Sequence, residues 1–214
     1  MAMRVYLTRH GQTEWNVRNQ VLGRTDVPLN ETGLAQAREL ARSLEGEPID
    51  LVITSPLTRT VQTGKCIAER LGVPAVTSDA LIEMDFGVFE GVQRDDPAYQ
   101  AEKKRYFARL AGGESYLDLA GRAYPFLQSL PELVPQILAE QRGASGAGRD
   151  AAGAEGFGAG RSELPVRDRL RDPNVLLVSH NGICRVICSY FQDMENDAFR
   201  NFQLDNCRVL QFEL

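Results

Sequence analysis

Short stretches of the chain are apolar almost without interruption, and between them lie longer stretches whose apolar residues recur at helical spacing. Val5-Tyr6-Leu7, Leu51-Val52-Ile53 and Val175-Leu176-Leu177-Val178 are the clearest of the short runs. Continuous rather than alternating apolar character predicts strands covered on both faces. The predicted strands are 4–8, 51–54, 73–78, 174–179 and 207–213. Residues 31–45 predict an amphipathic helix, with Asn30 as N-cap and Leu34, Ala37, Leu40, Ala41 and Leu44 on one stripe. A second helix is predicted over 57–71, stopped by Gly72 and Pro74. Further helices are predicted over 97–110, 115–139 and 183–191, and Ser115 with Asp118 resembles a capping box. Pro125, Pro131 and Pro135 are expected to break or kink the helix that contains them.

Strands and helices in alternation predict an α/β fold: a three-layer α/β/α sandwich around a mostly parallel central sheet. The whole of 1–214 is expected to form one domain, with 92–139 supplying a helical cover over the site and the helix that follows it. In such sheets ligands bind outside the carboxyl ends of the strands. One segment departs from the pattern: 13 of the 18 residues from 143 to 160 are Gly or Ala, the composition of a flexible insertion. It leads toward the amino end of strand 174–179, so it is not expected to be a lid over the site.

Composition narrows the classes. Apolar residues make up 43% and charged residues 25%, as in soluble globular proteins. No apolar run has transmembrane length and Met1-Ala2-Met3-Arg4 runs straight into a strand, so a cytoplasmic protein with no membrane partner is expected. The net charge of −5 argues against a nucleic-acid partner. Cys66, Cys184, Cys188 and Cys207 show no metal-ligand or disulfide spacing and are expected to be small buried residues, so no metal is predicted.

The candidate chemistry starts from scarcity. His10 and His180 are the only histidines, and each closes a predicted strand. Imidazole can exchange a proton or act as a neutral nucleophile near neutral pH. Arg9 and Gly11 flank His10, a combination suited to an imidazole that accepts a phosphoryl group while arginine holds its oxygens. Ser55 leads into Arg59, which falls in the first turn of a predicted helix. Arginine there opposes the helix dipole, and an anion at that helix end would resolve the conflict. The segment from Leu81 to Gly91 offers Glu83, Asp85 and Glu90 as candidate proton donors, and spacing does not choose among them.

Taken in order, RHGQTEWN (from Arg9), GRTDVPL (Gly23 to Leu29), SPLTRTVQT (from Ser55), EMDFGVFEG (from Glu83), GGES (from Gly112) and VSHNG (from Val178) resemble the histidine phosphatase superfamily, which includes the cofactor-dependent phosphoglycerate mutases. The resemblance covers nearly all the chain outside about 141–170. It implies a phosphoglycerate-mutase-like fold and no metal or other cofactor. It implies further that His10 becomes phosphohistidine, that Arg9, Arg59 and His180 bind the phosphoryl oxygens, and that Glu83 donates the proton to the leaving group and then activates water. Asn16 would contact the phosphate, Gln12, Thr13 and Gly23 would line the pocket, and the Asn181 backbone would lie near the phosphate. Met84-Asp85-Phe86-Gly87 after Glu83 looks like the phosphatase branch, including α-ribazole phosphatase-like and broad-specificity members, rather than the Arg-rich mutase branch. The expected activity is hydrolysis of a small phosphomonoester. The alternatives are a phosphoglycerate mutase and a non-catalytic phosphate-binding protein. The expected partner is a small phosphorylated metabolite, and a homodimer is compatible with the sequence.

Overall fold

A computed structural model describes residues 2–146 and 172–214. In chain order the elements are β1 (Arg4–Arg9), α1 (Glu14–Val17), α2 (Glu31–Ser43), β2 (Leu51–Thr54), α3 (Thr58–Leu71), β3 (Ala75–Thr77), α4 (Pro97–Glu102), α5 (Tyr116–Gly146), β4 (Val175–Ser179), α6 (Asn181–Phe191), α7 (Asn196–Asn201) and β5 (Val209–Glu213). One-turn 3-10 helices lie at Asp79–Leu81 and Gly87–Phe89. The strands form one sheet in the order β3-β2-β4-β1-β5, in which only β5 runs antiparallel to its neighbour.

The apolar runs become strands because both sheet faces are covered. Side chains alternate across a strand. Val5, Leu7, Leu51, Ile53, Val175 and Leu177 enter one core, which includes residues of α5 and α6. Tyr6, Val52, Leu176 and Val178 enter the other, with residues of α2 and α3. This is the expected three-layer α/β/α arrangement.

Two helix expectations need correction. Helix 97–110 stops at Glu102, and the chain continues in turns, with Tyr106 packed on Tyr116 and Phe199 and Phe107 left exposed. No apolar stripe spans 97–110 to hold a longer helix on the core. The prolines do not break α5, which runs from Tyr116 to Gly146. Leu119, Ala123, Phe126, Leu127, Leu130, Val134 and Leu138 are buried along one side, whereas Pro125, Pro131 and Pro135 are exposed. Burial of that stripe outweighs the lost backbone bonds, and on the solvent face water can reach the carbonyls left without a donor. The capping box holds: Ser115 N donates to Asp118 Oδ2 and Asp118 N to Ser115 Oγ. Most of the Gly/Ala-rich insertion, from residue 147 onward, lies outside the described residues.

β1 and β4 are adjacent parallel strands at the centre of the sheet, with Arg9 opposite Ser179. That register places the next residue of each strand, His10 and His180, side by side at the carboxyl edge. Asn174 opens β4 at the other end, where its side chain bonds Pro48 O and the Arg4 amide.

Candidate active site

The two imidazoles meet, with ring centroids 5.2 Å apart and planes inclined at 60°. Both are buried. His10 Nδ1 lies 2.7 Å from Gly11 O. A carbonyl oxygen only accepts, so Nδ1 carries the proton and Nε2 keeps its lone pair. Asn206 Nδ2 fixes the His10 carbonyl at 2.6 Å, and Thr63 Oγ1 accepts from the Gly11 amide at 3.1 Å. The glycine is required: a Cβ at Gly11 would collide with the Gly33 carbonyl oxygen and lie 3.0 Å from the Gly33 carbonyl carbon and Cα.

His180 takes the opposite tautomer. Arg59 Nε donates to its Nδ1 at 3.2 Å, so the proton sits on Nε2, which donates to Ser55 Oγ at 2.9 Å. Burial, then Arg59 and Arg9, holds His10 well below the usual imidazole range. Burial, Arg59 and His10 do the same to His180. Both rings are therefore neutral at neutral pH.

Arg59 is fully buried in the first turn of α3 and donates to three acceptors: His180, Thr25 O at 2.9 Å and Gly23 O at 2.5 Å. Burial lowers it to about 10, and the opposing carboxylates are Glu83, Asp26 and Glu90. Asp26 also accepts from Thr58 N and Thr58 Oγ1, so the chain itself supplies an anion at the start of α3. Arg9 donates through Nη1 to Leu204 O, and its Nε is buried without a partner. Half-buried Arg94 donates to Gln20 O and adds a further positive field at Arg9 and His10.

The structure separates the three candidate carboxylates. Glu83 is buried and faces the charges of Arg9 and Arg59. Its oxygens accept from the amides of Met84, Gly182 and Ile183. Asp85 caps the Gly87 amide. Glu90 is committed to the loop above the histidines, accepting from Gly23 N, Arg24 N, Thr25 Oγ1 and Phe86 N.

The remaining predicted residues surround this centre in supporting roles. Thr13 and Asn16 form a reciprocal capping box on α1, buried Thr13 accepting from Asn16 N while Asn16 Oδ1 accepts from Thr13 N. Gln12 bonds Asn30 and, through its amide, Gln36. Gly23 gives its carbonyl to Arg59 and its amide to Glu90. Asn181 Oδ1 accepts from Leu204 N, tying the start of α6 to the carbonyl that holds Arg9. Sequence reasoning missed Thr63 and Asn206, and noted Ser55 only for its place at a strand end. These are small polar residues distant in sequence from the histidines they hold, and no local pattern marks them.

Apart from the exposed Phe107, the aromatic residues from Phe86 to Tyr116 pack in two clusters, one of which includes Phe199. Tyr99 is buried against Phe86 and Phe89, and Tyr106, Tyr116 and Phe199 form a second cluster. All four cysteines are free; Cys184 and Cys188 are buried as expected, whereas Cys66 and Cys207 are half-buried. Among the described residues, no helix is long and apolar enough to cross a membrane.

Comparison with known proteins bears on the family and the fold. The family model described as histidine phosphatase superfamily (branch 1) matches residues 5–139 and 164–214. A 2,3-bisphosphoglycerate-dependent phosphoglycerate mutase from Methylobacterium sp. (strain 4-46) is 35% identical over 148 residues, covering 64% of this chain and 70% of that protein. A relative named as phosphoglycerate mutase GpmB in Yersinia pestis (strain Pestoides F) is 37% identical over 138 residues, and the match spans 61% of this chain and 64% of that protein, just under two thirds of its length. Among solved structures, a mycobacterial glucosyl-3-phosphoglycerate phosphatase superposes with a TM-score of 0.72 at 24% identity, covering 99% of this chain and 90% of that one. The alpha-ribazole phosphatase from Shigella flexneri superposes at 0.69, also with 24% identity, covering 98% and 89%. Two strand-end histidines packed together, with two buried arginines and a buried glutamate around them, thus sit on a matching fold, and the family model spans most of the sequence: the chain belongs to the histidine phosphatase superfamily, branch 1.

Proposed function

We propose that this protein is a phosphomonoesterase that moves a phosphoryl group from a small phosphorylated metabolite to His10 and from there to water. One observation carries the reading. His10 is buried and neutral, its Nδ1 proton is held by Gly11 O, and its Nε2 lone pair is left for attack. In the first step Nε2 bonds phosphorus, the bond to the leaving oxygen breaks, and the Glu83 carboxyl gives that oxygen a proton. Positive charge grows on the ring, and Gly11 O accepts from its Nδ1–H. In the second step water attacks phosphorus, the Nε2–P bond breaks, and Glu83 takes the proton from water.

Arg9, Arg59 and His180 are the groups for the equatorial oxygens. Arg9 has an unpartnered buried Nε ready for an anion. Arg59 commits three of its five N–H donors to His180, Thr25 O and Gly23 O and keeps two for a phosphoryl oxygen, whereas both ring nitrogens of His180 are engaged without substrate, so His180 must exchange a protein partner for one. Asn16, Gln12, Thr13, Gly23 and the Asn181 backbone complete the pocket in this reading. The charge stabilisation comes from the arginines, without a metal. An α-ribazole phosphate-like monoester is the proposed substrate type.

The mutase reading is favoured by the 35% and 37% identities to two relatives named as phosphoglycerate mutases, the second as a probable one. The Met84-Asp85-Phe86-Gly87 segment after Glu83 favours hydrolysis. A phosphate-release screen separates them. It includes p-nitrophenyl phosphate with a chelator, and 3-phosphoglycerate with and without 2,3-bisphosphoglycerate. Release of inorganic phosphate, lost in His10→Ala, supports the phosphatase. Conversion of 3- to 2-phosphoglycerate without phosphate release makes the enzyme a mutase. Turnover of nothing leaves a phosphate-binding protein.

A further inference from the structure

The Glu83 carboxylate rests on the first turn of α6. Gly182 N donates to Oε2 at 2.9 Å and Ile183 N to Oε1 at 3.1 Å, while Met84 N donates to Oε1 at 2.9 Å. His180, the N-cap of α6, makes no side-chain capping bond because its ring is committed to Arg59 and Ser55. Glu83 therefore caps the helix in its place, from far away in sequence. The carboxylate fits only because residue 182 has no side chain. A Cβ there would lie 2.5 Å from Oε1, 3.2 Å from Cδ and 3.3 Å from Oε2.

Neither common reason for a glycine applies. Gly182 is helical and is not among the glycines with positive φ, so an L side chain meets no backbone strain. Alanine in its place would favour the helix itself by roughly 1 kcal/mol. Among the neighbours a Cβ would meet, the nearest are the atoms of Glu83.

We infer that Gly182 is a positioning residue for the proton donor of the reaction. This rests on Glu83 acting as acid and base, as proposed above. When the leaving oxygen takes the Glu83 proton, a full carboxylate charge appears. The Gly182 and Ile183 amides, at the positive end of α6, already point at the oxygens that receive it. The benefit falls on the step in which Glu83 gives up its proton. It should therefore depend on how much proton the leaving group needs.

Two variants test this. Gly182→Ala pushes the carboxylate off the helix. Replacing the Gly182 amide by an ester, with glycolate in place of glycine, removes the N–H and adds no side chain, so it reports even if the alanine variant does not fold. Rapid-quench formation of phosphohistidine is followed with p-nitrophenyl phosphate, whose leaving group departs without a proton, and with glycerol phosphate, whose alkoxide does not. With glycerol phosphate the rate should fall about 10- to 100-fold, a part of the roughly 10²- to 10⁴-fold that general acid catalysis supplies, since the carboxyl is displaced and not removed. With p-nitrophenyl phosphate it should stay within about threefold of wild type, with KM little changed on either ester. Equal losses on the two esters, or no loss on glycerol phosphate, overturn the inference. A wild-type enzyme that forms phosphohistidine from neither ester overturns the phosphatase reading itself, and this inference with it.

Discussion

Taking the ligand-free protein from pH 7.5 to pH 5.5 should cost it stability chiefly through two residues. His10 and His180 are the only histidines, and both are buried neutral, with burial and the arginines opposing protonation of each and His10 opposing that of His180 as well. Each folded-state pKa lies well below the unfolded value of about 6.5. The unfolded chain therefore binds more protons than the folded one as pH drops. The stability these groups contribute is complete above about pH 6.5 and is lost progressively below it, down to their folded values. At pH 5.5 an unfolded imidazole gains RT ln 11, about 1.4 kcal/mol, against about 0.1 at pH 7.5, so the pair should cost up to about 2.7 kcal/mol, the full amount if neither folded ring takes a proton at pH 5.5. Urea unfolding in phosphate-free buffer at the two pH values measures this. The His10→Gln/His180→Gln double variant supplies the background from the carboxylates, and His10→Gln alone should lose about half the effect. With only two histidines, the imidazole Cε1–H resonances follow each ring directly. A ring that titrates near pH 6.5 in the folded protein refutes the reasoning, as does a wild type no more acid-sensitive than the double variant.

Other substitutions probe the scaffold. Gly33→Ala replaces a poor helix residue by the best one, yet its Cβ would lie 2.7 Å from Gln12 N; it should destabilise by about 1–3 kcal/mol in urea unfolding, and a stabilised variant would refute the close packing of α2 on the His10 loop. Pro131→Ala should stabilise α5 by up to about 3 kcal/mol, because the exposed position regains a backbone donor; a lowered melting temperature would contradict this. Glu90→Gln removes charge from the acceptor of several loop donors around Gly23 and should raise KM for p-nitrophenyl phosphate more than it lowers kcat. Unchanged KM would mean that the loop does not depend on that carboxylate.

Much of the fold was legible because its signals are local. An uninterrupted apolar run such as Val175 to Val178 means a doubly covered strand wherever it sits, and the observed strands fall within two residues of the expected ends. The misreadings arose where local preference lost to packing. Three prolines read as breaks, but all lie on the exposed side of a helix held by its buried stripe. Arg59 read as a first-turn arginine in need of an anion, and the structure buries it in α3 together with Thr60 and Thr63. The family pattern brought in Glu83, whereas the residues alone left three acids open. Burial of Glu83 and the loop bonds of Glu90 separate them physically.

Local chemistry along the chain was enough to mark two scarce histidines at strand ends, the arginines beside them and the alternation that makes a covered sheet. The histidines' matching positions pointed to one shared site, but not to rings packed against each other. That follows from strand order: β1 and β4 are neighbours although their histidines are 170 residues apart, and backbone pairing across such a separation leaves no periodic trace. Nor could local chemistry say which nitrogen of each ring carries the proton, or that both rings are neutral. Those depend on Gly11 O, Arg59 and Ser55 lying within hydrogen-bond reach and on water being excluded, conditions met only once the layers have closed.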